Sequence, residues 1–401
     1  MWGDEIEYGS WTSGGIWALD TLYDKYDFTQ DIQLLEKYYP LMEGAPRFEL
    51  SNLVEADGVN GELKGYLMVA SAGLPVHWYN LQGGGKAAFD ISTAADVQIY
   101  NNLFNMLESG AKELEAAGIG YDQAFLGEVL EAREKLVPLE LFIDQDTGRL
   151  REFYNEYPVG DAGHRHVSQL LGTFMNHSDI NETDTPELYY ASQAEAQRNF
   201  SIGGGGHPDR ATMALRLGDP QLAFSKIPHG VAGTTYKQGD WRYWCPIGNS
   251  VAEAILDSRF EGLNLMENIP EQWSSGKIRG ICGRGGYQLS MEWKDGVLVN
   301  CTVDSTTGKP PRVFYKGEGI KLSEDARFTV NRAEVSLEEL KAEAQEKLTG
   351  KYTEESKQNL SAALEGGSYE EISRGLLDME PVGRPVHADI QVKEEADKDI
   401  L

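Results

Sequence analysis

Residues 92–117 read STAADVQIYNNLFNMLESGAKELEAA, and this run sets the expected architecture. Thr93 stands at the start of the run, where a threonine hydroxyl can accept a hydrogen bond from a free backbone N–H group and cap a helix. We therefore predict one long, half-buried helix here. Its apolar residues recur at helical spacing and would form a single face: Ala95, Ile99, Leu103, Phe104, Met106 and Leu107.

Helical spacing continues on both sides of this run. Residues 13–55 predict two helices, with Thr29 as the expected N-cap of the second, and residues 57–90 predict a long loop rich in Gly, Pro and aromatic residues. No alternation of strand and helix is visible, so the pattern favours a mainly α fold, a helical toroid of the (α/α)-barrel type over residues 1–265. Further helices are predicted at 122–136, 163–175, 187–199, 209–217 and 249–258.

The pattern changes after Trp273 to short, β-rich runs separated by turns. Asp295-Gly296 stands between two alternating runs, which is a strong hairpin signal. We predict a small C-terminal β-sandwich over residues 266–332, then a helical segment and an acidic tail over residues 333–401, of which 379–401 are expected to be extended or disordered. The predicted strands are 278–281, 287–293, 297–303, 312–315 and 327–330.

Composition narrows the functional class. The net charge of −28 argues against binding to nucleic acid or to an anionic membrane surface, because phosphate would be repelled. Aromatic residues make up 10% of the chain, and aromatic rings stack on the apolar faces of sugars as well as filling cores. The three cysteines, Cys245, Cys282 and Cys301, lack metal-site spacing and are interpreted as buried thiols. These features fit a protein that handles a neutral ligand.

A segment near the middle of the chain carries several side chains that can take part in catalysis. Leu150-Arg151-Glu152-Phe153 is followed by Gly163-His164-Arg165-His166-Val167-Ser168, which brings one carboxylate, two imidazoles and a guanidinium into about twenty residues. Such groups can grip a polyol and protonate a leaving oxygen. Two other interpretations stay open: the histidines could bind a metal together with His177, or the segment could join a helix start to a loop.

The same segment resembles the central signature of glycoside hydrolase family 95, the α-L-fucosidases, which reads G-x-L-x-E-W and then H-R-H-x-S-H-L. Three other stretches resemble family motifs in the same order. The resemblance extends, with gaps, from about residue 10 to about residue 330. The stretches are Gly14-Gly15-Ile16-Trp17 with Tyr26-Asp27-Phe28-Thr29, then Gly248-Asn249-Ser250-Val251-Ala252-Glu253, and finally Arg284-Gly285-Gly286-Tyr287 leading to Trp293-Lys294-Asp295-Gly296.

The resemblance implies an (α/α)6 barrel and an inverting, metal-free hydrolysis of α-L-fucose from fucosylated glycans, without a cofactor. It places the family's general acid on Glu152. Substrate contacts are expected from seven residues: Tyr23, Asp24, His164, Arg165, His166, His207 and Asn249. The location is expected to be extracellular or at a bacterial cell surface if the full-length protein carries a signal peptide.

The chain departs from the family pattern at the second catalytic partner. The aspartate of the family's D-G-N motif is Ile247 here, and the last histidine of H-R-H-x-S-H-L is Gln169. Asp24, Asp96 and His207 are the alternative candidates for a base, which an inverting enzyme needs at roughly 6.5–9.5 Å from the acid. Three hypotheses therefore stay open: a fucosidase, a catalytically impaired sugar-binding relative, and a helical scaffold or interaction protein.

Overall fold

The computed structural model describes residues 11–56, 63–70, 72–73, 78–155, 157–158, 166–198, 206–227, 241–259, 262–309, 311–315, 318–320, 327–330, 337–350, 354–368, 371–372 and 376. The predicted acidic tail at 379–401 lies outside these residues. Within them, no helix is both long enough and apolar enough to cross a membrane.

Helices dominate the first 255 residues. The α-helices are α1 (Ser13–Trp17), α2 (Leu19–Thr29), α3 (Ile32–Glu49), α4 (Ala94–Ala116), α5 (Gln123–Lys135), α6 (Pro186–Ala196), α7 (Gly206–Arg216), α8 (220–227) and α9 (Trp241–Ile255). Short 3₁₀ helices lie at Leu50–Asn52, Leu139–Phe142 and Ser168–Thr173.

Helix α4 is the centre of the main hydrophobic core. It packs against α1, α2, α3, α5 and the 3₁₀ helix Ser168–Thr173, and its apolar residues, such as Ile99, Leu103 and Phe104, are almost completely buried. The predicted cap is confirmed, since the Thr93 side chain accepts a hydrogen bond from the Asp96 backbone N–H at 3.1 Å. Buried neighbours on nearly every side explain why so much of this helix is apolar.

Three local predictions in the helical region were wrong. The N-cap of α3 is Asp31, which accepts from the Gln33 N–H, whereas Thr29 is the last residue of α2. An aspartate two residues before the amide can reach it, which Thr29 cannot. Of the helix predicted at 163–175, the described residues form only the 3₁₀ helix Ser168–Thr173. The predicted loop at 57–90 contains short strands.

Those strands, together with one that precedes them, form small two-stranded sheets. They are β1 (Leu53–Glu55), β2 (Leu67–Val69), β3 (Ala72–Gly73), β4 (Tyr79–Asn80), β5 (Lys86–Ala87) and β6 (Phe89–Asp90). All three pairs are antiparallel: β1 with β2, β3 with β6, and β4 with β5. Each holds only two or three residue pairs, so tertiary contacts rather than a long alternating pattern fix them.

The C-terminal strands form two four-stranded sheets, ordered β14-β11-β10-β9 and β13-β12-β8-β7. Their apolar side chains join one hydrophobic cluster, in which Leu263 and Val313 of one sheet pack with Leu289 and Val303 of the other. The strands are β7 (Leu256–Asp257), β8 (Leu263–Leu265), β9 (Gly276–Gly283), β10 (Tyr287–Lys294), β11 (Val297–Ser305), β12 (Val313–Tyr315), β13 (Glu318–Ile320) and β14 (Arg327–Val330).

The hairpin predicted at Asp295-Gly296 is confirmed. Lys294 pairs with Val297, so the turn has two residues, and both have positive φ, 52° for Asp295 and 76° for Gly296. That geometry matches the right-handed twist of the flanking strands. After the sheets, α10 (Leu337–Leu348) packs against α11 (Glu354–Gly366). The expectation of buried thiols holds for Cys301 but is wrong for Cys282, which is exposed.

A buried arginine links several elements of the helical region. Arg216 at the end of α7 forms an ion pair with Glu253 of α9, at 2.5 Å, and both side chains are less than a tenth exposed. The same guanidinium donates to the carbonyls of Thr173 and Phe174 at the end of the 3₁₀ helix, and to the Asn176 side chain. Every contact of this charge is with a residue of another element, so it fixes their relative positions.

We predict that Arg216→Met lowers the free energy of unfolding by roughly 3–5 kcal/mol, because Glu253 would keep a buried charge without its counter-ion. Lys277→Met is the control, since its ion pair with Glu292 at 2.8 Å is about half exposed on both sides. The control should change stability by less than about 1 kcal/mol. Urea unfolding followed by circular dichroism measures both, and equal effects would contradict the role given to Arg216.

Candidate active site

Glu152 lies at the N-terminus of α4, where backbone N–H groups have no partner within the helix. The Ala94 N–H donates to the Glu152 backbone carbonyl at 2.8 Å, and the Ala95 N–H donates to the Glu152 carboxyl group. A bridge between Thr93 and Phe153 holds the adjacent backbone. The side chain is only 7% exposed. The helix end therefore holds Glu152 by both its main chain and its side chain.

Burial raises the pKa of Glu152 to about 8. Within this net rise, the negative charges of Asp96 and Glu195 add to the effect of burial, whereas the hydrogen bonds from the Ser168 hydroxyl and the Ala95 N–H oppose it. Desolvation is the largest of these effects, because a buried carboxylate loses the water that stabilises its charge. At neutral pH Glu152 is therefore mostly protonated and able to donate a proton.

Asp96 lies in the first turn of α4 and is almost completely buried. Its carboxylate accepts from the Trp11 indole N–H at 3.2 Å, the Ser13 hydroxyl at 2.5 Å and the Thr93 hydroxyl at 2.6 Å. Burial raises its pKa, and these three hydrogen bonds oppose that rise. Both oxygens are engaged, so Asp96 serves to join α1 to the start of α4 and is poorly placed to activate a water molecule.

Further buried polar groups contact the 3₁₀ helix Ser168–Thr173. Gln169, where the resembling family has a histidine, donates to Glu195 at 2.7 Å, and Arg198 pairs with the same carboxylate at 2.7 Å. Gln98 of α4 donates to the Gln169 carbonyl and accepts from the Gly172 N–H. These bonds lock the 3₁₀ helix onto α4 and so fix the position of Ser168 beside Glu152.

Phe153 and Tyr157, which follow Glu152 in the chain, belong to a cluster of aromatic rings. Tyr157 stacks flat on Tyr79, with ring centroids 3.8 Å apart, and Phe153 meets Tyr79 edge-on at 5.2 Å. The Tyr157 hydroxyl donates to Asp90 at 3.3 Å and accepts from Asn155. Tyr79 was missed by the sequence reasoning, since its strand β4 has only two residues.

The sequence-predicted substrate residues lie in several places. His164 and Arg165 fall outside the described residues, as does the His207 side chain, although its backbone belongs to α7. His166 is partly buried and has interactions of its own. Asn249 is exposed on α9 and points to the Thr212 hydroxyl at 3.5 Å. The contacts of the Glu152 carboxyl group include the Ser168 hydroxyl and the Ala95 N–H of α4.

Tyr23 and Asp24 lie in a different polar cluster, toward the C-terminal strands. Tyr23 is 2% exposed and packs edge-on against the His177 ring at 4.7 Å. Asp24 accepts from Arg284 at 2.9 Å and from Asn176 at 2.8 Å. His177, considered above as a metal ligand, pairs with Asp27 at 2.8 Å. Within the described chain, no three metal-binding side chains converge.

A buried carboxyl group with a pKa near 8, held at a helix N-terminus, has the properties that a glycoside hydrolase requires of its general acid. Comparison with protein families agrees with that class, and the chain belongs to glycoside hydrolase family 95. Residues 1–239 match the glycosyl hydrolase family 95 catalytic domain, and residues 257–354 match the glycoside hydrolase family 95 C-terminal domain.

Two curated proteins are similar over most of the chain. Alpha-L-fucosidase 2 of Arabidopsis thaliana is 26% identical over 336 residues, covering 78% of this chain and 38% of that protein. Probable alpha-fucosidase A of Aspergillus niger is 24% identical over 336 residues, covering 76% and 40%. The chain thus spans about two fifths of the length of these relatives.

Among solved structures, a putative kojibiose phosphorylase from human microbiome matches with a TM-score of 0.46 and 14% identity. The match covers 81% of this chain and 50% of that one.

The raised pKa of Glu152 has a measurable consequence for stability. Between the unfolded pKa near 4.5 and the folded pKa near 8, the folded state keeps a proton that the unfolded state loses, so stability falls as pH rises through this window. Glu152→Gln removes that dependence. The variant should gain a few kcal/mol relative to the parent between pH 4.5 and 8, by urea unfolding. Exposed Glu140→Gln should track the parent, and parallel curves for parent and Glu152→Gln would contradict the shift.

Ser168 should tune the proton affinity of the same carboxyl group. Its hydroxyl donates to Glu152 and lowers the pKa, so Ser168→Ala should raise the pKa above that of the parent. Ser168→Thr keeps a hydroxyl donor and should stay close to the parent. Carboxyl ¹³C shifts of selectively labelled glutamate, assigned by their loss in Glu152→Gln, report the titration. A pKa that is unchanged or lower in Ser168→Ala would exclude this role.

Proposed function

We propose that this chain carries the general acid of an inverting α-L-fucosidase that acts on fucosylated glycans, and that Glu152 is that acid. The single observation that carries the proposal is the burial of the Glu152 carboxyl group at the start of α4, which raises its pKa to about 8. Membership of glycoside hydrolase family 95 and the printed names of the two curated relatives support the reaction class.

In the proposed reaction, Glu152 gives its proton to the glycosidic oxygen as the bond between that oxygen and the fucose anomeric carbon breaks. A water molecule attacks the anomeric carbon from the opposite face and loses a proton to a base, so that fucose is released with inverted configuration. The Ser168 hydroxyl donates to Oε2 of Glu152, which favours the proton on Oε1 as the one transferred. His164, Arg165 and His166 follow in the chain as proposed donors to the sugar hydroxyl groups.

Neither Asp24 nor Asp96 is proposed as the catalytic base. Asp24 is engaged by Arg284 and Asn176, and Asp96 by Ser13, Thr93 and Trp11. The family's aspartate is Ile247 here. This replacement favours a second candidate function, a sugar-binding relative with impaired turnover, in which Glu152 still lies beside the bound sugar.

The proposal extends to the architecture. The helices α1–α9 are proposed to belong to an (α/α)6 toroid over residues 1–265, and the two C-terminal sheets to form a small β-sandwich over residues 266–332. A helical segment and acidic tail over residues 333–401 complete the proposed division. Strands β7 and β8, before residue 266, pair within the C-terminal sheet, so the exact boundary is part of the proposal.

The test compares Glu152→Gln with its exposed control Glu140→Gln on two substrates. An acid matters most when the leaving group is basic, so Glu152→Gln should lower kcat/KM on 2′-fucosyllactose by about 10²–10⁴-fold. The loss should be much smaller on 4-nitrophenyl α-L-fucoside, whose leaving group needs little protonation.

Equal losses on both substrates, or activity that survives in Glu152→Gln, would exclude Glu152 as the acid. If the parent binds L-fucose but hydrolyses neither substrate, the sugar-binding relative is the better description.

A further inference from the structure

A polar cavity lies away from Glu152, where the helices meet the C-terminal strands. It has a volume of about 780 Å³, within the usual range of ligand sites. Ser109 of α4 contributes to its wall and lies thirteen residues, or roughly 20 Å along the helix axis, beyond Asp96. Glu152 does not line this cavity, which is therefore separate from the candidate active site.

The polar side chains of the cavity wall are held in place by hydrogen bonds, most of them to each other. His177 pairs with Asp27 at 2.8 Å, and Asn105 donates to Asp179 at 2.7 Å. Arg284 is fixed by Asp24 and lies over the Phe28 ring, with 4.7 Å from its guanidinium carbon to the ring centroid. Polar groups that are already oriented lose little entropy when a ligand binds.

Charges of both signs lie around the cavity. The carboxylates of Asp27, Asp179 and Asp184 and the guanidinium groups of Arg284 and Arg312 belong to its lining. A strongly charged ligand of either sign would therefore meet groups of its own sign. The mixture of donors and acceptors instead suits a ligand that carries many hydroxyl groups and no net charge.

One aromatic ring completes the lining. Tyr287, at the start of β10, borders the cavity, and its partial burial raises its pKa, so that the hydroxyl stays protonated as a donor. An aromatic face beside amide and hydroxyl groups is suited to the apolar face of a pyranose ring. Among the other wall residues, Leu263 is the main apolar side chain. The lining thus disfavours an apolar ligand.

We propose that this cavity, between α4, the segment 176–185 and the C-terminal strands, binds an uncharged oligosaccharide at a site separate from Glu152. The ligand would contact the helical region and the strands together, so a glycan chain could be held by the body of the protein while another part reaches the candidate active site. The proposal does not depend on hydrolysis by Glu152.

The test fills the cavity and leaves its hydrogen bonds in place. Ser109→Trp places a large ring into the cavity from α4. Asp184→Trp does the same from an exposed turn, and the Asp184 side chain takes part in none of the hydrogen bonds described for the structure. Ser225→Trp, on an exposed position of α8 outside the cavity, is the matched control. Binding of cellohexaose, xylohexaose and mannohexaose is measured by isothermal titration calorimetry on the full chain.

At least one hexaose should bind the parent, and both cavity variants should weaken that binding about tenfold or more, a change of about 1.4 kcal/mol. Ser225→Trp and Glu152→Gln should bind as the parent does, which separates this site from the candidate active site. Circular dichroism checks folding, and Asp184→Trp decides the question if Ser109→Trp does not fold. No binding of any hexaose, or binding unchanged in a folded cavity variant, would overturn the proposal.

Discussion

The candidate active site depends on the unpaired N–H groups at the start of one buried helix. The first turn of α4 must satisfy its donors without water, because Ala94, Ala95 and Val97 are all completely buried. Thr93 caps one donor, while the main chain and carboxyl group of Glu152 take two others. The need to satisfy a buried helix end thus places Glu152 in an enclosed position, and that same enclosure keeps it protonated.

Several buried acidic groups collect around this helix end, in a protein that is already strongly negative. Glu49 is 1% exposed and accepts from the Tyr100 hydroxyl at 2.5 Å and from Asn52 at 3.1 Å. Asp96 and Glu195 are likewise buried and hydrogen-bonded. Each carboxyl group has donors of its own, which offsets part of the cost of burial. Their proximity works against ionisation of Glu152, while hydrogen bonds from Ser168 and the Ala95 amide favour it.

The segment Arg216-Leu217-Gly218-Asp219 has a structural role. It provides the buried ion pair to Glu253 and the cap of the next helix, since Asp219 accepts from the Leu222 N–H at 2.8 Å. Gly218 has φ +73°, a conformation that a side chain would strain. Asp24 and Arg284 similarly join α2 to the C-terminal strands. Arg216 thus links elements of the helical region, and Asp24 links that region to the C-terminal strands.

The sequence by itself determined the helical character of the first 255 residues, the cap at Thr93 and the hairpin at Asp295-Gly296, because these features depend on neighbouring residues. It also singled out Glu152, through a motif, and that prediction stays to be tested. Tertiary structure alone decided that Glu152 is buried at the end of α4 beside Ser168, that Tyr79 stacks on Tyr157, and that Asp24 binds Arg284. These contacts join residues that are 16, 78 and 260 positions apart. Local propensity carries no information about such pairs, since they form only when the packed core brings their elements together.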